Sequence, residues 1–320
     1  MTKGWGEGEI PVLRKGGEAA NPIDEGPPPC FKRPMTQPAR LSDLRNRYDV
    51  LYCDVWGVIR DGRALLPEAV EALRQFRKGG GAVCLVSNSP RRHRSLERFL
   101  AGMGLPADAT DAMVTSGDAI HAELVARTPG KAWAIGPDGD HGLYEGLDID
   151  FTDVEHADFI TCTGPDDYWN GTPDDYAGRL ETALERGLDL VCANPDIVVQ
   201  AGDQLVWCAG AIARLYRQMG GTSVVAGKPH KPVYDLARQA LEAKGIAVDL
   251  QRVLAVGDGP ETDIAGAMRI GVDALFIAEG ILGTDPDAQE NGDGFDGEAV
   301  ARALEGYGVS ARWLAPKLVW

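Results

Sequence analysis

From residue 41 onwards, short runs of apolar residues alternate with longer stretches in which apolar positions recur every three or four residues. The short runs predict β-strands, and the longer stretches predict amphipathic helices. The stretch "LPEAVEALRQFRKGGG" places Val70, Leu73 and Phe76 on one helical face, with basic residues in its last turn and glycines after it. A second helix is predicted from Pro232, because proline is favourable in a first turn. The alternation predicts an α/β fold with a mainly parallel sheet.

Four of the apolar runs end in polar residues. They are "VLYC" before Asp54, "AVCLV" before Ser87 and Asn88, "SVVAG" before Lys228, and "VLAVG" before Asp258. Ligands of open parallel sheets bind at the carboxyl ends of the strands. We therefore expect these carboxylate, hydroxyl, amide and ammonium groups to share one site.

Each of these residues also has a structural interpretation when it is taken alone. An aspartate that ends a strand is often a turn former or a helix cap. Ser87 and Asn88, which precede "PRR", suit the start of a helix, and so does Asp263 within "PETDIAGA". Lys228, which precedes Pro229, suits a surface loop. Only the ordered set, taken together, favours a functional site.

The composition fits a globular enzyme and argues against polyanionic partners. A chain of 320 residues with 44% apolar residues can form one large domain or two moderate ones. Its formal net charge of -16 repels nucleic acid and anionic membranes. The N-terminus lacks an apolar signal region, and no stretch approaches the roughly 18 uninterrupted apolar residues of a membrane span. We expect a cytoplasmic protein without a nucleic-acid or membrane partner.

Cysteines, histidines and glycine-rich loops give no sign of other chemistries. The six cysteines lack C-x-x-C spacing, and the five histidines show no metal-ligand spacing with them. This pattern favours reduced thiols and argues against zinc. The sequence contains neither G-x-x-x-x-G-K-[ST] nor a G-x-G-x-x-G that opens a helix after a strand, so those nucleotide-binding loops are not expected.

Five segments, in order along residues 46 to 285, resemble motifs of the haloacid dehalogenase (HAD) superfamily, and specifically its class IIA, NagD-like branch. "DVWGVIRDG" resembles the family's D-x-D-G-V-x-x-x-G opening, "LVSNSPRR" its second motif, "GKPHKPVYD" its lysine motif and "VGDGPETDIAGA" its acidic fourth motif. "CANPD", followed by "GAIARLYRQMGG", resembles the class IIA cap and its return to the core. Five ordered matches make coincidence improbable.

The stretch between the second motif and the lysine motif is longer than a βα crossover needs. Within it, "KAWAIG", "DFITCTG" and "DLVCAN" predict strands, and "TPDDYAGRLETALERG" predicts an amphipathic helix. We expect a Rossmann-like parallel-sheet core at residues 43–129 and 209–320, with an inserted α/β cap of the C2 type at 130–208. Residues 1–42, which contain many Gly and Pro without periodicity, predict a flexible arm.

The resemblance implies a Mg²⁺-dependent phosphohydrolase that acts on a small phosphorylated metabolite. Asp54 would attack phosphorus and form an aspartyl-phosphate. Lys228 would lie beside the phosphoryl oxygens and hold Asp54 ionised. Ser87 and the backbone amide of Asn88 would donate hydrogen bonds to the same oxygens.

The implied metal ligands are oxygen atoms, which Mg²⁺ prefers. They are the carboxylates of Asp54 and Asp258 and the backbone carbonyl of Trp56. Asp263 matches the second acidic position of the fourth motif and would act on the metal through water. A tryptophan at position 56 keeps the carbonyl, so the implied metal site tolerates it.

Trp56 stands where the family's phosphatases have a second aspartate, which protonates the leaving alkoxide and later activates water. An indole N–H can do neither, and losing such a group costs roughly 10² to 10⁴ in rate. Three outcomes are open: a substitute acid such as Asp61, Asp166 or Asp167; substrates such as acyl phosphates or phosphoanhydrides; or a phosphate-binding pseudoenzyme. A dehalogenase is less favoured, because those members typically have tyrosine there and the acidic fourth motif is intact.

Two loops of the expected cap carry the candidate substrate contacts. They are Asp166, Asp167, Tyr168 and Trp169 in one loop, and Asn194 and Asp196 in the other. A surface turn or an oligomer contact explains the first loop equally well. Because family members often associate through their caps, a homodimer is also possible.

Overall fold

The computed structural model describes residues 36–201, 204–279 and 295–320. Its strands are β1 (Gln37–Pro38), β2 (Val50–Cys53), β3 (Ala82–Ser87), β4 (Ala112–Thr115), β5 (Gly130–Ile135), β6 (Ile149–Phe151), β7 (Phe159–Cys162), β8 (Leu190–Cys192), β9 (Val198–Ala201), β10 (Gln204–Trp207), β11 (Ser223–Val225), β12 (Val253–Gly257), β13 (Asp273–Ile277) and β14 (Trp313–Ala315). Its α-helices are α1 (Leu41–Leu44), α2 (Pro67–Lys78), α3 (His93–Gly102), α4 (Ser116–Val125), α5 (Ala177–Glu185), α6 (Ala209–Gln218), α7 (Lys231–Glu242), α8 (Ala265–Ile270) and α9 (Gly297–Gly306).

The first sheet has seven parallel strands in the order β1-β14-β13-β12-β2-β3-β4. Its central strands β12, β2 and β3 are buried along their whole length, as expected of a sheet that is covered on both faces. In β2 the side chains alternate between two buried clusters: Val50 and Tyr52 join one, and Leu51 and Cys53 join the other. The expected α/β fold with a parallel core sheet is confirmed.

The two helices that the apolar pattern predicted are present. Helix α2 begins with Pro67 and buries Ala69, Val70, Ala72, Leu73 and Phe76 against the sheet, and Gly79 follows its last residue. Helix α7 begins one residue before Pro232, which lies in its first turn. The spacing of the apolar residues and the residues at the helix ends were therefore sufficient to predict both helices.

The second sheet has five parallel strands in the order β11-β8-β7-β5-β6. It includes the three strands that were expected between the second motif and the lysine motif. The predicted helix of this region is present as a 3₁₀ turn, Pro173–Tyr176, followed by α5. A short antiparallel hairpin, β9 with β10, follows β8 in the chain.

The expected boundary between the inserted cap and the core, at residue 208, differs from the structure. The run "SVVAG" was expected to end at the core sheet, but β11 pairs with β8 in the second sheet. Helix α6 precedes it and packs Ile212 and Tyr216 into the apolar cluster of that same sheet. The second domain therefore continues beyond residue 208 to Val225, because α6 and β11 complete its core.

The expected arm at residues 1–42 also ends earlier than predicted. Strand β1 pairs with β14 at the edge of the first sheet, and Gln37 N donates a hydrogen bond to Arg312 O. Leu41 and Leu44 of α1 are buried. Residues 37–44 thus belong to the fold, because they cover an otherwise unpaired sheet edge. The rest of the expected arm, residues 1–35, lies outside the described residues.

Within the described ranges, no helix combines the length and the apolar character that crossing a membrane requires.

Candidate active site

Three neighbouring strands of the first sheet deliver polar side chains to one edge. Strands β12, β2 and β3 are adjacent, and their carboxyl ends lead to Asp258, Asp54 and the pair Ser87 and Asn88. The backbone N–H of Asp54 donates to Val256 O at 2.8 Å, which extends the β2–β12 pairing to the aspartate itself. Parallel pairing therefore brings these residues together, as their positions after the strands predicted.

Lys228 arrives from the other sheet, in the loop between β11 and α7. Its Nζ lies 2.5 Å from Asp54 Oδ1 and 2.8 Å from Asp263 Oδ1. The three residues are between 3% and 8% exposed. Removing one partner from a buried ion pair typically costs about 3 to 5 kcal/mol, so this contact fixes the lysine loop on the core.

The cluster favours a charged lysine. Burial lowers the pKa of Lys228, but the carboxylates of Asp263, Asp54 and Asp196 outweigh it and raise the pKa well above its ordinary value. Burial raises the pKa of Asp54 to about 7; the Lys228 ammonium opposes this shift, and the Asp263 carboxylate adds to it. A further cation near Asp54 would favour its ionised form in the same way as the lysine does.

Asn88 joins three separate segments of the chain. Its side-chain carbonyl accepts a hydrogen bond from Lys228 N at 2.8 Å, and its amide nitrogen donates to Lys228 O at 3.1 Å. The same nitrogen donates to Asp196 Oδ1 at 2.8 Å. Asn88 therefore positions the lysine loop and the loop after β8 beside the nucleophile candidate. The Asn88–Asp196 contact could not be read from the sequence, because 108 positions separate the two residues.

Three carboxylates gather where a metal was expected. Ligand oxygens of Asp54, Asp258 and Asp263 all lie within 4.8 Å of one another, and all three residues are buried. The Asp258 carboxylate lies against the backbone of Gly57, whose φ is +76° and where a Cβ would be 2.0 Å from Asp258 Oδ2. The peptide that carries the Trp56 carbonyl is therefore next to Asp258. Three acidic groups and a carbonyl, set against one lysine, fit a divalent cation with oxygen ligands.

The side chain of Trp56 stacks on a buried arginine. The Arg60 guanidinium carbon lies 3.8 Å from the centre of the indole ring and 5.0 Å from the centre of the Phe99 ring. Arg60 is 2% exposed, and it donates hydrogen bonds to the carbonyl oxygens of Asp61 and Gly62 at 2.9 and 3.0 Å. Trp56 is thus held by a cation–π contact. Arg60 was not singled out in the sequence, although it lies within the first motif.

Three residues of the expected cap loops lie near the core. The carbonyl oxygen of the Asn194 side chain accepts a hydrogen bond from Asp196 N at 3.2 Å, and Asp196 in turn contacts Asn88. Burial raises the pKa of Tyr168, and the positive charges of Arg60 and Arg91 act against this shift. The loop after β7 therefore approaches the arginines of the first domain.

The other cap candidates make contacts within the second domain. Asp166 Oδ1 accepts a hydrogen bond from Gly136 N at 2.8 Å. Asp167 Oδ1 accepts from Trp169 N and Asn170 N at 3.0 and 3.1 Å, and the Trp169 side chain is 57% exposed. The Asp167 contacts are typical of turns, and the structure does not bring Asp166, Asp167 or Trp169 into the buried cluster.

Asp61, a further candidate acid, is held in the same way. It is exposed, and its carboxylate accepts hydrogen bonds from the backbone N–H groups of Arg63 and Ala64, both at 2.7 Å. Hydrogen bonds from Ala64 and Arg63 lower its pKa. An ionised carboxylate that closes a turn is poorly suited to donate a proton.

Comparisons with known proteins agree with the motifs. Residues 51–150 match the family described as haloacid dehalogenase-like hydrolase, and residues 225–306 match a second, HAD-hydrolase-like family. A hydrolase of the haloacid dehalogenase-like family from Brucella suis 1330 shares 39% identity, with coverage of 88% of this chain and 100% of that chain and a TM-score of 0.77. The chain belongs to the haloacid dehalogenase-like hydrolase family.

Curated relatives place this HAD-like hydrolase in the expected class IIA, NagD-like branch. Ribonucleotide monophosphatase NagD of Escherichia coli K12 is 24% identical over 241 residues, which are 73% of this chain and 88% of NagD. Chronophin of Rattus norvegicus is 25% identical over 262 residues, which are 76% of this chain and 80% of chronophin. The family resemblance that the ordered motifs implied is therefore confirmed.

Proposed function

We propose that this HAD-like hydrolase is a Mg²⁺-dependent phosphatase of a small phosphorylated metabolite and that Asp54 is its nucleophile. The observation that carries the proposal is the buried cluster of Asp54, Lys228, Asp258 and Asp263 at the carboxyl ends of the core strands. A phosphatase activity agrees with the name of the relative NagD, a ribonucleotide monophosphatase.

The proposed reaction has two steps. An Asp54 carboxylate oxygen attacks phosphorus, the bond from phosphorus to the leaving oxygen breaks, and an aspartyl-phosphate forms. Water then attacks the same phosphorus, the bond from phosphorus to the Asp54 oxygen breaks, and inorganic phosphate leaves as the carboxylate is restored. Lys228 offsets the charge of the phosphoryl oxygens in both steps, and Ser87 with the Asn88 amide donates hydrogen bonds to them.

The acidic cluster supplies the metal site in this proposal. Asp54, Asp258 and the Trp56 carbonyl would hold Mg²⁺, with Asp263 acting through water. A cation bound there would offset the repulsion between the carboxylates and an incoming phosphoryl group. Gly57 is part of the site, because its backbone lies against Asp258 where no side chain fits.

The part of the metabolite that faces away from Asp54 would contact the second domain. Tyr168 approaches Arg60 and Arg91, so the leaving part of the substrate would lie near two positive charges and an aromatic ring. This environment favours a small, polar or anionic leaving part over an apolar one. A homodimer through the second domain stays a prediction.

A phosphate-binding pseudoenzyme is the second candidate, and Trp56 is the observation that favours it. Its indole is stacked on Arg60 and offers no carboxyl proton. A dehalogenase is disfavoured by the four-residue charged cluster, which suits a phosphoryl group and a metal.

Phosphate release from p-nitrophenyl phosphate and acetyl phosphate, each with and without Mg²⁺, tests the proposal. Both leaving groups need little protonation, so we expect Mg²⁺-dependent release that an Asp54→Asn variant abolishes. Binding of Mg²⁺ and inorganic phosphate without release by the wild-type protein would favour the pseudoenzyme. An Asp166→Asn variant, which changes an exposed carboxylate of the second domain, tests whether that loop contributes.

A further inference from the structure

Asp196 is an acidic residue of the second domain that reaches the cluster of the first domain. It lies in the loop after β8, and its Oδ1 accepts a hydrogen bond from Asn88 at 2.8 Å. Because the other side-chain atom of Asn88 accepts from Lys228 N, the amide nitrogen must face Asp196. The direction of this hydrogen bond is therefore fixed by the backbone of the lysine loop.

The loop that carries Asp196 is tightly held. The backbone carbonyl of Asp196 accepts a hydrogen bond at 3.1 Å from Gly210 N, which lies at the start of α6. A Cβ at Gly210 would lie 2.0 Å from Pro195 O, so the loop packs directly on the helix backbone. Catalytic groups need such support, since small displacements cost large factors in rate.

The negative charge of Asp196 affects the pKa of the proposed nucleophile, Asp54, and that of Lys228. Its carboxylate is among the causes that raise the pKa of Asp54 and of Lys228. Burial raises the pKa of Asp196 itself to about 6; Lys228 and the Asn88 hydrogen bond oppose this, and Asp263 adds to it. Among the described residues, the charged groups that interact with Asp196 are thus Lys228, Asp54 and Asp263.

Two thiols complete the surroundings of Asp196. Burial raises the pKa of Cys208 and of Cys192, and the negative charge of Asp196 contributes to both shifts. Both thiols are therefore neutral at physiological pH and do not compete for the proton. Asp196 is close to the cluster, and a pKa of about 6 lets it hold a proton near neutrality, whereas backbone hydrogen bonds lower the pKa of Asp61 in its exposed turn.

We propose that Asp196 is the general acid and base that replaces the carboxylate missing at position 56. This inference rests on the proposed phosphatase function. In the first step, Asp54 bonds to phosphorus while the leaving oxygen separates and takes the proton of the Asp196 carboxyl. In the second step, the Asp196 carboxylate takes a proton from the attacking water as the bond between phosphorus and Asp54 breaks. Both carboxyl groups then return to their starting states.

Two substrates of similar shape test this role. p-Nitrophenolate leaves without help from an acid, while phenolate needs more protonation. We expect Asp196→Asn to lower kcat/KM for phenyl phosphate by roughly 10²-fold and for p-nitrophenyl phosphate by less than about 10-fold. Asp196→Glu should recover part of the loss. The matched control is Asp150→Asn, which neutralises an exposed carboxylate on edge strand β6 and should change neither value.

The pH dependence gives a second readout. A general acid must hold its proton, so wild-type kcat/KM for phenyl phosphate should fall as the pH rises through the pKa of Asp196. This limb of the profile should be missing in Asp196→Asn. A positioning role through Asn88 would leave the limb in place.

The outcomes separate this inference from the function on which it rests. Three results would overturn the role of Asp196 while leaving the phosphatase function intact. Asp196→Asn lowers kcat/KM equally for both substrates, it lowers kcat/KM for neither, or the wild-type protein hydrolyses p-nitrophenyl phosphate but not phenyl phosphate. Absence of Asp54-dependent release from either substrate would overturn both. Thermal unfolding of each variant shows whether a lost activity reflects lost folding, and in that case Asp196→Glu decides the question.

Discussion

In the proposed mechanism, Trp56 keeps the metal-binding carbonyl of the first motif but lacks a carboxylate that could transfer a proton. Its backbone carbonyl belongs to the peptide beside Asp258, whereas its side chain stacks on Arg60. A carboxylate at this position would meet a buried guanidinium rather than a free path to the leaving group. The sequence predicted that the acid is missing, but the stack could not be predicted, because it depends on side-chain packing.

We expect Trp56→Asp to raise kcat for phenyl phosphate by less than about 10-fold, because the new carboxylate would pair with Arg60. Steady-state kinetics beside the wild-type protein measure this. A gain of 10² or more would show that position 56 limits the chemistry, and it would argue against a substitute acid at Asp196.

Lys228→Met should destabilise the protein, because it leaves the buried carboxylates of Asp54 and Asp263 without their cation. We expect a loss of about 3 kcal/mol in the free energy of unfolding at pH 8, measured with urea in the absence of metal. The loss should shrink as the pH falls below about 7, because the Asp54 carboxyl, whose pKa burial raises to about 7, then gains a proton. Lys231→Met is the control, since its ion pair with Asp235 is exposed and worth under about 0.5 kcal/mol. A loss that does not vary with pH would contradict the electrostatic explanation.

At the scale of elements, the strands and helices with regular patterns were predictable, but the sheet in which a strand lies was not. Strand β11 has the same apolar pattern as the core strands, yet its three residues pair with β8 in the second sheet. Its partner is set by α6, which packs on the second sheet before the chain reaches β11. Strand pairing of this kind is a long-range property that residue pattern does not encode.

Asp118 joins the ends of two helices and was not predicted. It forms a reciprocal capping box with Thr115 at the start of α4. Its carboxylate also accepts hydrogen bonds from His93 N at 3.0 Å and from Arg92 Nε at 2.8 Å. Burial acts to raise the pKa of Asp118, but the hydrogen bonds from His93, Arg92 and Thr115 outweigh it and lower the pKa.

We therefore expect Asp118→Ala to reduce the free energy of unfolding by about 3 kcal/mol at pH 7, because it leaves partly buried N–H groups without acceptors. A lowered carboxyl pKa contributes stability that is present above about pH 4 and is lost as the pH falls further. The difference from wild type should thus narrow in acid. Asp108→Ala, which breaks an exposed pair with Arg74, should reduce the free energy of unfolding far less. Equal losses in the two variants would contradict the capping role.

At the scale of the whole molecule, the site is completed by both domains. The first sheet supplies Asp54 and Asp258, while the loops after β8 and β11 bring Asp196 and Lys228 from the second sheet. The sequence correctly predicted that the residues following the core strands are neighbours, because parallel strands end at one edge of the sheet. The contribution of Asp196 needed the structure, since it depends on how the two sheets face each other.

Metal binding should stabilise the whole fold. A ligand present at 100 times its Kd adds about 2.7 kcal/mol to the free energy of unfolding, which corresponds to a rise in Tm on the order of 5 °C. We expect Mg²⁺ to raise Tm by such an amount and Asp258→Asn to remove the effect, in thermal scans with NaCl of equal ionic strength as the control. An equal rise in the variant would place the metal elsewhere.

The proposed nucleophilic role of Asp54 is tested most directly by stopping the reaction in acid. Wild-type protein is mixed with p-nitrophenyl phosphate and Mg²⁺, quenched within the first turnovers, digested and analysed by mass spectrometry. We expect one phosphoryl group on the peptide that contains Asp54, together with no phosphate release by Asp54→Asn. A phosphoryl group on another residue, or undiminished release by Asp54→Asn, would contradict the proposed mechanism.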